Sequence, residues 1–237
     1  MMVRKVICAL DTGDIDEAKA ITRRLSPYVG AFKVGHGLTL QHGLGVIDQI
    51  QEAGASRVFL DLKFHDIPNS VALAVREATK HGVWMMTLHI SGGPAMMTAA
   101  AEEAHFLPED ERPLLMGVSV LTSLDQHVLT DHLGINRSLE EHMVYLSALA
   151  VDCGLDGVIS SPHEVAPIRE RIGHEGVIVC PGIRAAQASD TQDQKRVGTA
   201  GQALCDGANY VVIGRALTAS EDVERTLVEL GFDLATA

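Results

Sequence analysis

The charged side chains best placed for chemistry lie together in residues 61–70, DLKFHDIPNS, directly after an apolar run at 58–60. Side chains alternate along a strand, so Asp61 and Lys63 are expected to point the same way, with Asp66 beyond the strand end. Two carboxylates keep a lysine between them protonated and make it a positioned proton donor. An ion-pair cluster with a purely structural role is the alternative, since structural networks also gather charges.

The pattern of the whole chain predicts the scaffold that would hold these groups. Apolar runs predict strands at 5–10, 31–34, 58–62, 84–90, 114–120, 157–160, 177–180 and 210–213. Amphipathic stretches predict helices at 15–25, 38–53, 70–81, 96–104, 139–153, 162–172, 198–206 and 216–230. Strands that alternate with helices are typical of parallel βαβ units. Eight such units predict an α/β fold, a single-domain (β/α)8 TIM barrel over residues 1–237.

A doubly wound open sheet is the alternative fold. That fold would be expected to carry a glycine-rich nucleotide-binding turn after its first strand. The chain has Asp11-Thr12-Gly13-Asp14 at this place. The barrel is therefore favoured.

In such a barrel, functional side chains gather at the carboxyl ends of the strands. Polar residues follow nearly every predicted strand: Asp11, Lys33, Asp61, Lys63, His89, Thr122, Ser123, Ser160, Arg184, Gly214 and Arg215. Alternation would let Lys33 point into the barrel mouth and form a charge-balanced chain with Asp61, Lys63 and Asp66, although a surface lysine with a buried stem is the alternative.

A phosphate site is predicted near the last two strands. Gly214 and Arg215 open the last helix, where backbone amides and a guanidinium can bind an anion. Arg184 lies on the same side, in the polar segment 181–197. A long loop in a compact domain is often a lid, so we expect this segment to be a mobile loop that closes over phosphate. The alternatives are a solvent-facing Arg215 and a disordered surface loop.

Composition excludes several classes of function. The net charge of −12 argues against nucleic acid, which needs a basic face. No apolar run reaches the roughly 18 residues of a membrane helix, so no membrane association is expected. The N-terminus is basic and then apolar, as in a signal peptide, but its apolar part is short and a buried first strand fits better.

Cysteine and histidine spacing predicts neither a disulfide framework nor a metal site. Cys8, Cys153, Cys180 and Cys205 are far apart, as expected of free thiols in a reducing cytoplasm. The eleven histidines form no metal-binding motif. We therefore expect a cytoplasmic protein without a bound metal.

The pattern Asp61-x-Lys63-x-x-Asp66, within DLKFHDIPNS, resembles the signature of the orotidine 5′-phosphate decarboxylase family. Further matches are Lys33-Val-Gly, Val120-Leu-Thr-Ser, Pro181-Gly-Ile-Arg184, Asp193-Gln194 and Val212-Ile-Gly-Arg215, so the resemblance runs nearly end to end. It implies a barrel homodimer with two shared active sites that needs no cofactor. The implied activity converts orotidine 5′-monophosphate to uridine 5′-monophosphate (UMP) and CO2, the last step of de novo UMP synthesis.

The resemblance also implies a role for each matching residue. Lys63 would donate the proton, Asp61 would lie beside the substrate carboxylate, and Asp66 and Ile67 would reach the neighbouring subunit's site. The substrate-binding set would be Asp11 and Lys33 at the ribose, Thr122 and Ser123 at the pyrimidine, Arg184, Gln194, Gly214 and Arg215 at the phosphate, and Ile67, Ser70 and Pro181. Ser70 stands where the family often has threonine, and a hydroxyl is kept.

Two other functions fit parts of the same pattern. Magnesium-dependent sugar-phosphate decarboxylases and aldolases of the same superfamily share Asp-x-Lys-x-x-Asp, but a glutamate is expected in them at the position of Lys33. A non-catalytic barrel that binds phosphorylated ligands would keep Arg184 and Arg215 and would not need Lys63 between acids.

Overall fold

The strands of this protein close into a parallel barrel in the order β1 to β8, with β8 paired back to β1. The computed structural model describes residues 2–183 and 198–232, and the strands are those of this part of the chain. They are β1 Val6–Leu10, β2 Ala31–Val34, β3 Val58–Phe64, β4 Met85–His89, β5 Leu114–Val118, β6 Gly157–Ile159, β7 Val177–Cys180 and β8 Tyr210–Ile213. The predicted (β/α)8 barrel is confirmed, and the N-terminal apolar run is a buried strand.

Helices follow the strands around the outside of the barrel. They are α1 Ile15–Leu25, α2 His36–His42, α3 Val46–Glu52, α4 Pro68–Thr79, α5 Pro94–His105, α6 Leu139–Asp152, α7 Val165–Ile172, α8 Ala200–Cys205, α9 Arg215–Thr218 and α10 Val223–Glu229. Short 3-10 segments lie at Met2–Lys5, Ile90–Gly92 and Pro162–Glu164, and a π turn at Val128–His132. None of these helices is long and apolar enough to cross a membrane.

Two predicted helices are each divided in the structure. The predicted helix 38–53 is wrong as a single element, because Gly43 ends α2 with a φ of 69° that only glycine adopts readily. The predicted tail helix 216–230 is also wrong as one element. There Asp222 leaves helical geometry and its side chain accepts the Arg225 N–H, which caps a separate α10.

Strand alternation produces two apolar layers. Along β1, Val6, Cys8 and Leu10 face the helices, whereas Ile7 and Ala9 face the barrel axis. The inner layer is completed by Ala31, Phe59, Met85, Met116, Val179 and Val212, all of them buried. These side chains fill the barrel below the carboxyl ends of the strands, so the barrel is a packed core that carries a site at one end.

Candidate active site

A cavity of about 320 Å³ opens at the carboxyl ends of the strands. Its polar wall comes from strand ends and the segments after them: Asp11, Lys33, Asp61, Lys63, Thr122, Ser160, Pro181, Gly214 and Arg215. Its apolar floor includes Ala9, Phe59 and Val212 from the inner layer of the barrel. Most of the polar residues predicted at the strand ends therefore lie together in one concave site.

Acidic and basic side chains alternate across this cavity. The Lys33 Nζ lies 3.3 Å from the Asp11 Oδ1 and 3.5 Å from the Asp61 Oδ2. The Lys63 Nζ donates to both carboxylate oxygens of Asp61 at 2.9 Å. Only Asp11 is largely open to solvent, with 61% of its side chain exposed, against 13% for Asp61. The four groups form a chain in which each buried charge has an opposite partner.

The network keeps its buried members ionised. Burial alone would raise the pKa of Asp61, but the ammonium groups of Lys33 and Lys63 hold that pKa below its usual range. Burial alone would likewise lower the pKa of Lys33, but the carboxylates of Asp61 and Asp11 raise it. Charge pairing wins over desolvation at both residues. The cavity thus holds fixed positive and negative charges above an apolar floor.

The backbone at Lys63 is unusual. Its φ of 52° is the sole positive φ of a non-glycine residue in the described ranges. The pairing of β3 with β4 shifts register here, since Leu60 lies opposite Met86 and Phe64 lies opposite Leu88. Such a conformation costs on the order of 1–3 kcal/mol and persists where the surrounding structure imposes it. Asp61 and Lys63 do face the same cavity, but the regular alternation used to predict this is interrupted between them.

Thr87 fixes this irregular segment, and the sequence analysis missed it. It is fully buried in β4, its Oγ1 donates to the Asp61 Oδ1, and it accepts the Lys63 N–H, both at 2.9 Å. The available signal was a hydroxyl residue between Met86 and Leu88, in the apolar part of a strand that ends at His89. A buried hydroxyl needs a partner, and here that partner belongs to the cavity.

Asp66 does not join the network within one chain. It is exposed, its Oδ1 accepts the Ile67 N–H at 2.6 Å, and in the described part of the chain it forms no ion pair with Lys63. The charge-balanced chain predicted from Lys33 to Asp66 is therefore wrong at its last member for a single subunit, because the Asp66 carboxylate accepts the backbone N–H at the N-cap of α4 instead. Ile67 precedes α4 with 66% of its surface exposed, and Ser70 lies half-buried in the first turn.

The predicted phosphate end is partly described. Gly214 and Arg215 line the cavity where β8 passes into α9, and Thr122 and Pro181 line the neighbouring wall. A side chain at position 214 would come within 3.3 Å of the Asp11 carboxylate, so glycine suits this wall. Ser123 is not among the lining residues. Arg184, Gln194 and residues 184–197 of the predicted closing loop lie outside the described residues.

His65 and His89 lie beside the network and outside the cavity wall. Their ring centroids are 5.3 Å apart, and His65 itself is exposed. Burial, together with the nearby His65 and Lys63, lowers the pKa of His89. Within the described ranges, no group of three or more histidine, cysteine or acidic side chains is arranged to hold a metal ion.

Comparison with known proteins places this site in a family. Residues 4–230 match the model of the orotidine 5′-phosphate decarboxylase / HUMPS family. The chain belongs to this family. It is 47% identical to the orotidine 5′-phosphate decarboxylase of Moorella thermoacetica over 222 residues, which cover 92% of this chain and 87% of that protein.

Other members of the orotidine 5′-phosphate decarboxylase / HUMPS family match over nearly their whole length. The orotidine 5′-phosphate decarboxylase of Syntrophomonas wolfei is 43% identical, with 96% of each chain covered. The crystal structure of the Lactobacillus acidophilus orotidine 5′-phosphate decarboxylase superposes with a TM-score of 0.81 at 31% identity, covering 96% of this chain and 99% of that one. The resemblance to this family predicted from residues 61–70 is confirmed.

Proposed function

We propose that this protein decarboxylates orotidine 5′-monophosphate to UMP and CO2, the last step of de novo UMP synthesis. The observation that carries the proposal is the buried Lys33–Asp61–Lys63 network at the barrel mouth, in a chain of this family. A non-catalytic phosphate-binding barrel has no use for a lysine bonded to both oxygens of a buried carboxylate. A decarboxylase needs a fixed cation where a carbanion develops.

In the proposed reaction, the bond between C6 of the pyrimidine and the carboxylate carbon breaks, and CO2 leaves. The electron pair stays on C6, where no neighbouring carbonyl delocalises it in the usual way. The Lys63 ammonium stabilises this charge and then gives C6 a proton. Asp61 lies beside the substrate carboxylate and raises the energy of the bound substrate, an effect that we rank below the role of Lys63. No cofactor is required.

The remaining groups bind and orient the nucleotide in this proposal. Asp11 and Lys33 contact the ribose hydroxyls, and Thr122 and Ser123 lie against the pyrimidine, next to Pro181. Arg184, Gln194, Gly214 and Arg215 hold the phosphate. Binding energy from the phosphate, remote from the reacting carbon, keeps the substrate carboxylate in place. Residues 1–237 form one barrel domain, and the loop around 181–197 closes over the phosphate.

The active unit in this proposal is a homodimer. Asp66 and Ile67 lie directly before α4, both are exposed, and the Asp66 carboxylate accepts the Ile67 N–H. In the dimer they complete the site of the partner subunit, and Ser70 contributes to substrate binding. Each shared site then has carboxylates on both sides of its lysine.

The first test is the loss of ultraviolet absorbance when dialysed, EDTA-treated protein meets orotidine 5′-monophosphate. We expect a fast decrease with release of CO2, and full activity without added metal. If folded protein gives no change, the proposal is wrong. Turnover of a ketose phosphate only after magnesium is added would instead indicate the metal-dependent sugar-phosphate enzymes.

A further inference from the structure

Thr87 forms hydrogen bonds with two groups of β3, the backbone N–H of Lys63 and the carboxylate of Asp61. In β4, Met86 and Leu88 face the helices, so Thr87 points toward the barrel axis, and it is completely buried. It is not among the residues that line the cavity. Whatever Thr87 contributes to the reaction is therefore transmitted through the groups it bonds.

The directions of its two hydrogen bonds are fixed by chemistry. The Lys63 backbone N–H can only donate, so the Thr87 Oγ1 accepts from it. The ionised Asp61 carboxylate can only accept, so the one hydroxyl proton goes to its Oδ1. The same Oδ1 also accepts from the Lys63 Nζ. A closed ring of bonds then joins the Lys63 backbone, Thr87, Asp61 and the Lys63 ammonium.

The ring coincides with the break in strand pairing. Between the pairs Leu60–Met86 and Phe64–Leu88, three residues of β3 face the single residue Thr87. Lys63 has its left-handed backbone at this point. The side chain of Thr87 thus binds a backbone N–H where the regular ladder is interrupted, and it does so with the atom that also orients the carboxylate.

We propose that Thr87 is a positioning residue: its hydroxyl fixes the Asp61 carboxylate and the left-handed backbone of Lys63 relative to each other, and so sets the place of the Lys63 ammonium in the cavity. This inference rests on the proposed decarboxylation. Valine has the shape of threonine but can neither accept from the Lys63 N–H nor donate to Asp61. The substitution Thr87→Val therefore breaks the ring of hydrogen bonds and keeps the packing of the side chain.

The test compares variants of the full-length protein in the absorbance assay. Misplacement of a catalytic group by about 1 Å can cost roughly 100-fold, so we expect Thr87→Val to lower kcat by about 10- to 100-fold. Its KM and its affinity for UMP should stay within about threefold of the parent, because the nucleotide contacts are made elsewhere. Thr87→Ser keeps the hydroxyl and should retain kcat within about threefold.

The matched control is Thr22→Val. Thr22 is also fully buried, but its Oγ1 donates to the Ala18 carbonyl of its own helix α1. We expect this variant to lose thermal stability and to keep the parent kcat. If Thr87→Val keeps the parent kcat per folded molecule, as the control is expected to do, the inference is wrong.

A second pair of variants covers the case in which Thr87→Val does not fold. Thr87→Ser and Thr87→Ala both lack the γ-methyl group and differ in the hydroxyl alone. We expect kcat of the serine variant to exceed that of the alanine variant by at least about tenfold, and equal values would overturn the inference. An inactive parent enzyme, by contrast, would refute the proposed decarboxylation itself.

Discussion

At the scale of single residues, Lys63 is distinguished by its pairing. Its ammonium bonds both oxygens of Asp61, and its backbone takes a conformation that few side chains adopt. Lysine at a surface gains little from an ion pair, whereas here the partner carboxylate is buried and itself held by Lys33. The position of the charge is therefore determined by the protein before any substrate binds.

The first prediction concerns this ammonium group. In the proposed reaction, Lys63→Ala removes both the proton donor and the charge that stabilises the carbanion, so kcat should fall by roughly 10⁴-fold or more. UMP should still bind measurably by calorimetry, since the proposed phosphate and ribose contacts do not involve Lys63. Lys80→Ala removes an exposed lysine paired with Glu77 and serves as the control, with parent activity expected. Turnover of Lys63→Ala near the parent rate would contradict the proton-donor role.

The second prediction concerns the free thiols. Burial, with a contribution from Asp11, raises the pKa of Cys8 to about 12, so at pH 8 only about 10⁻⁴ of it is thiolate. Burial raises the pKa of Cys180 as well, whereas Cys205 is exposed. A chromogenic disulfide reagent at pH 8 should label Cys205 rapidly and both buried thiols only after unfolding.

The thiol prediction has a direct control. Cys205→Ser should abolish the fast labelling phase, and raising the pH should accelerate labelling of Cys8 only as the pH nears 12. Fast labelling that persists in Cys205→Ser and disappears on replacing Cys8 would show that Cys8 is not shielded. Cys153 is half-buried and should react at an intermediate rate.

At the scale of elements, Arg169 of α7 ties the amino-terminal ends of two strands. Its guanidinium donates to the Gly176 carbonyl at 2.6 Å, the Gly207 carbonyl at 2.8 Å and the Asn209 Oδ1 at 2.6 Å. Gly176 precedes β7 and Asn209 precedes β8, so the helix is fixed to the barrel at the end opposite the cavity. These hydrogen bonds join α7 to β7 and β8, two neighbouring strands of the closed barrel.

The third prediction follows from these bonds. Arg169→Ala leaves the two carbonyl groups and the Asn209 amide oxygen without this donor, and we expect a loss of about 2–4 kcal/mol in the free energy of unfolding, measured in urea. The kcat should not change, because the cavity is at the other end. Arg171→Ala, in the same helix and exposed, should change stability by no more than about 0.5 kcal/mol. Equal effects of the two substitutions would refute the role of Arg169.

Particular elements show what the sequence could and could not reveal. Predicted strands at 31–34, 177–180 and 210–213 match β2, β7 and β8, because short buried parallel strands give continuous apolar runs. The division between α2 and α3 was missed because the apolar period continues across Gly43. Thr87 was missed because its role depends on a register break between β3 and β4, a contact between strands that no local pattern encodes. Asp66 was expected beyond the strand end, but spacing along one chain does not show whether its carboxylate reaches Lys63 or bonds the backbone before α4, as it does here.

At the scale of the whole molecule, the proposed homodimer gives the fourth prediction. Lys63→Ala and Asp66→Asn homodimers should each be strongly impaired. After the two are denatured, mixed and refolded together, about half of the dimers carry both chains, and one of their two sites combines an intact Lys63 with an intact Asp66. We expect about one quarter of the parent activity to return.

A second mixture provides the control for shared sites. Lys33 and Lys63 belong to the same network within one chain, so Lys33→Ala mixed with Lys63→Ala creates no intact site and should stay inactive. Failure of the first mixture to regain activity, with mixed dimers present by mass spectrometry, would mean that Asp66 acts within its own chain or not at all.

The packed inner layer of the barrel also limits the routes by which Lys63 can exchange protons with solvent. Phe59, Ala9 and Val212 close the cavity from below, and the two described cavities that Lys63 lines both lie at the carboxyl ends of the strands. In the proposed reaction Lys63 gives up its proton, and solvent must restore it from the end of the barrel at which the nucleotide binds. Reprotonation of the donor and exchange of product for substrate therefore take place at the same end of the barrel, and turnover in heavy water should place deuterium in the product.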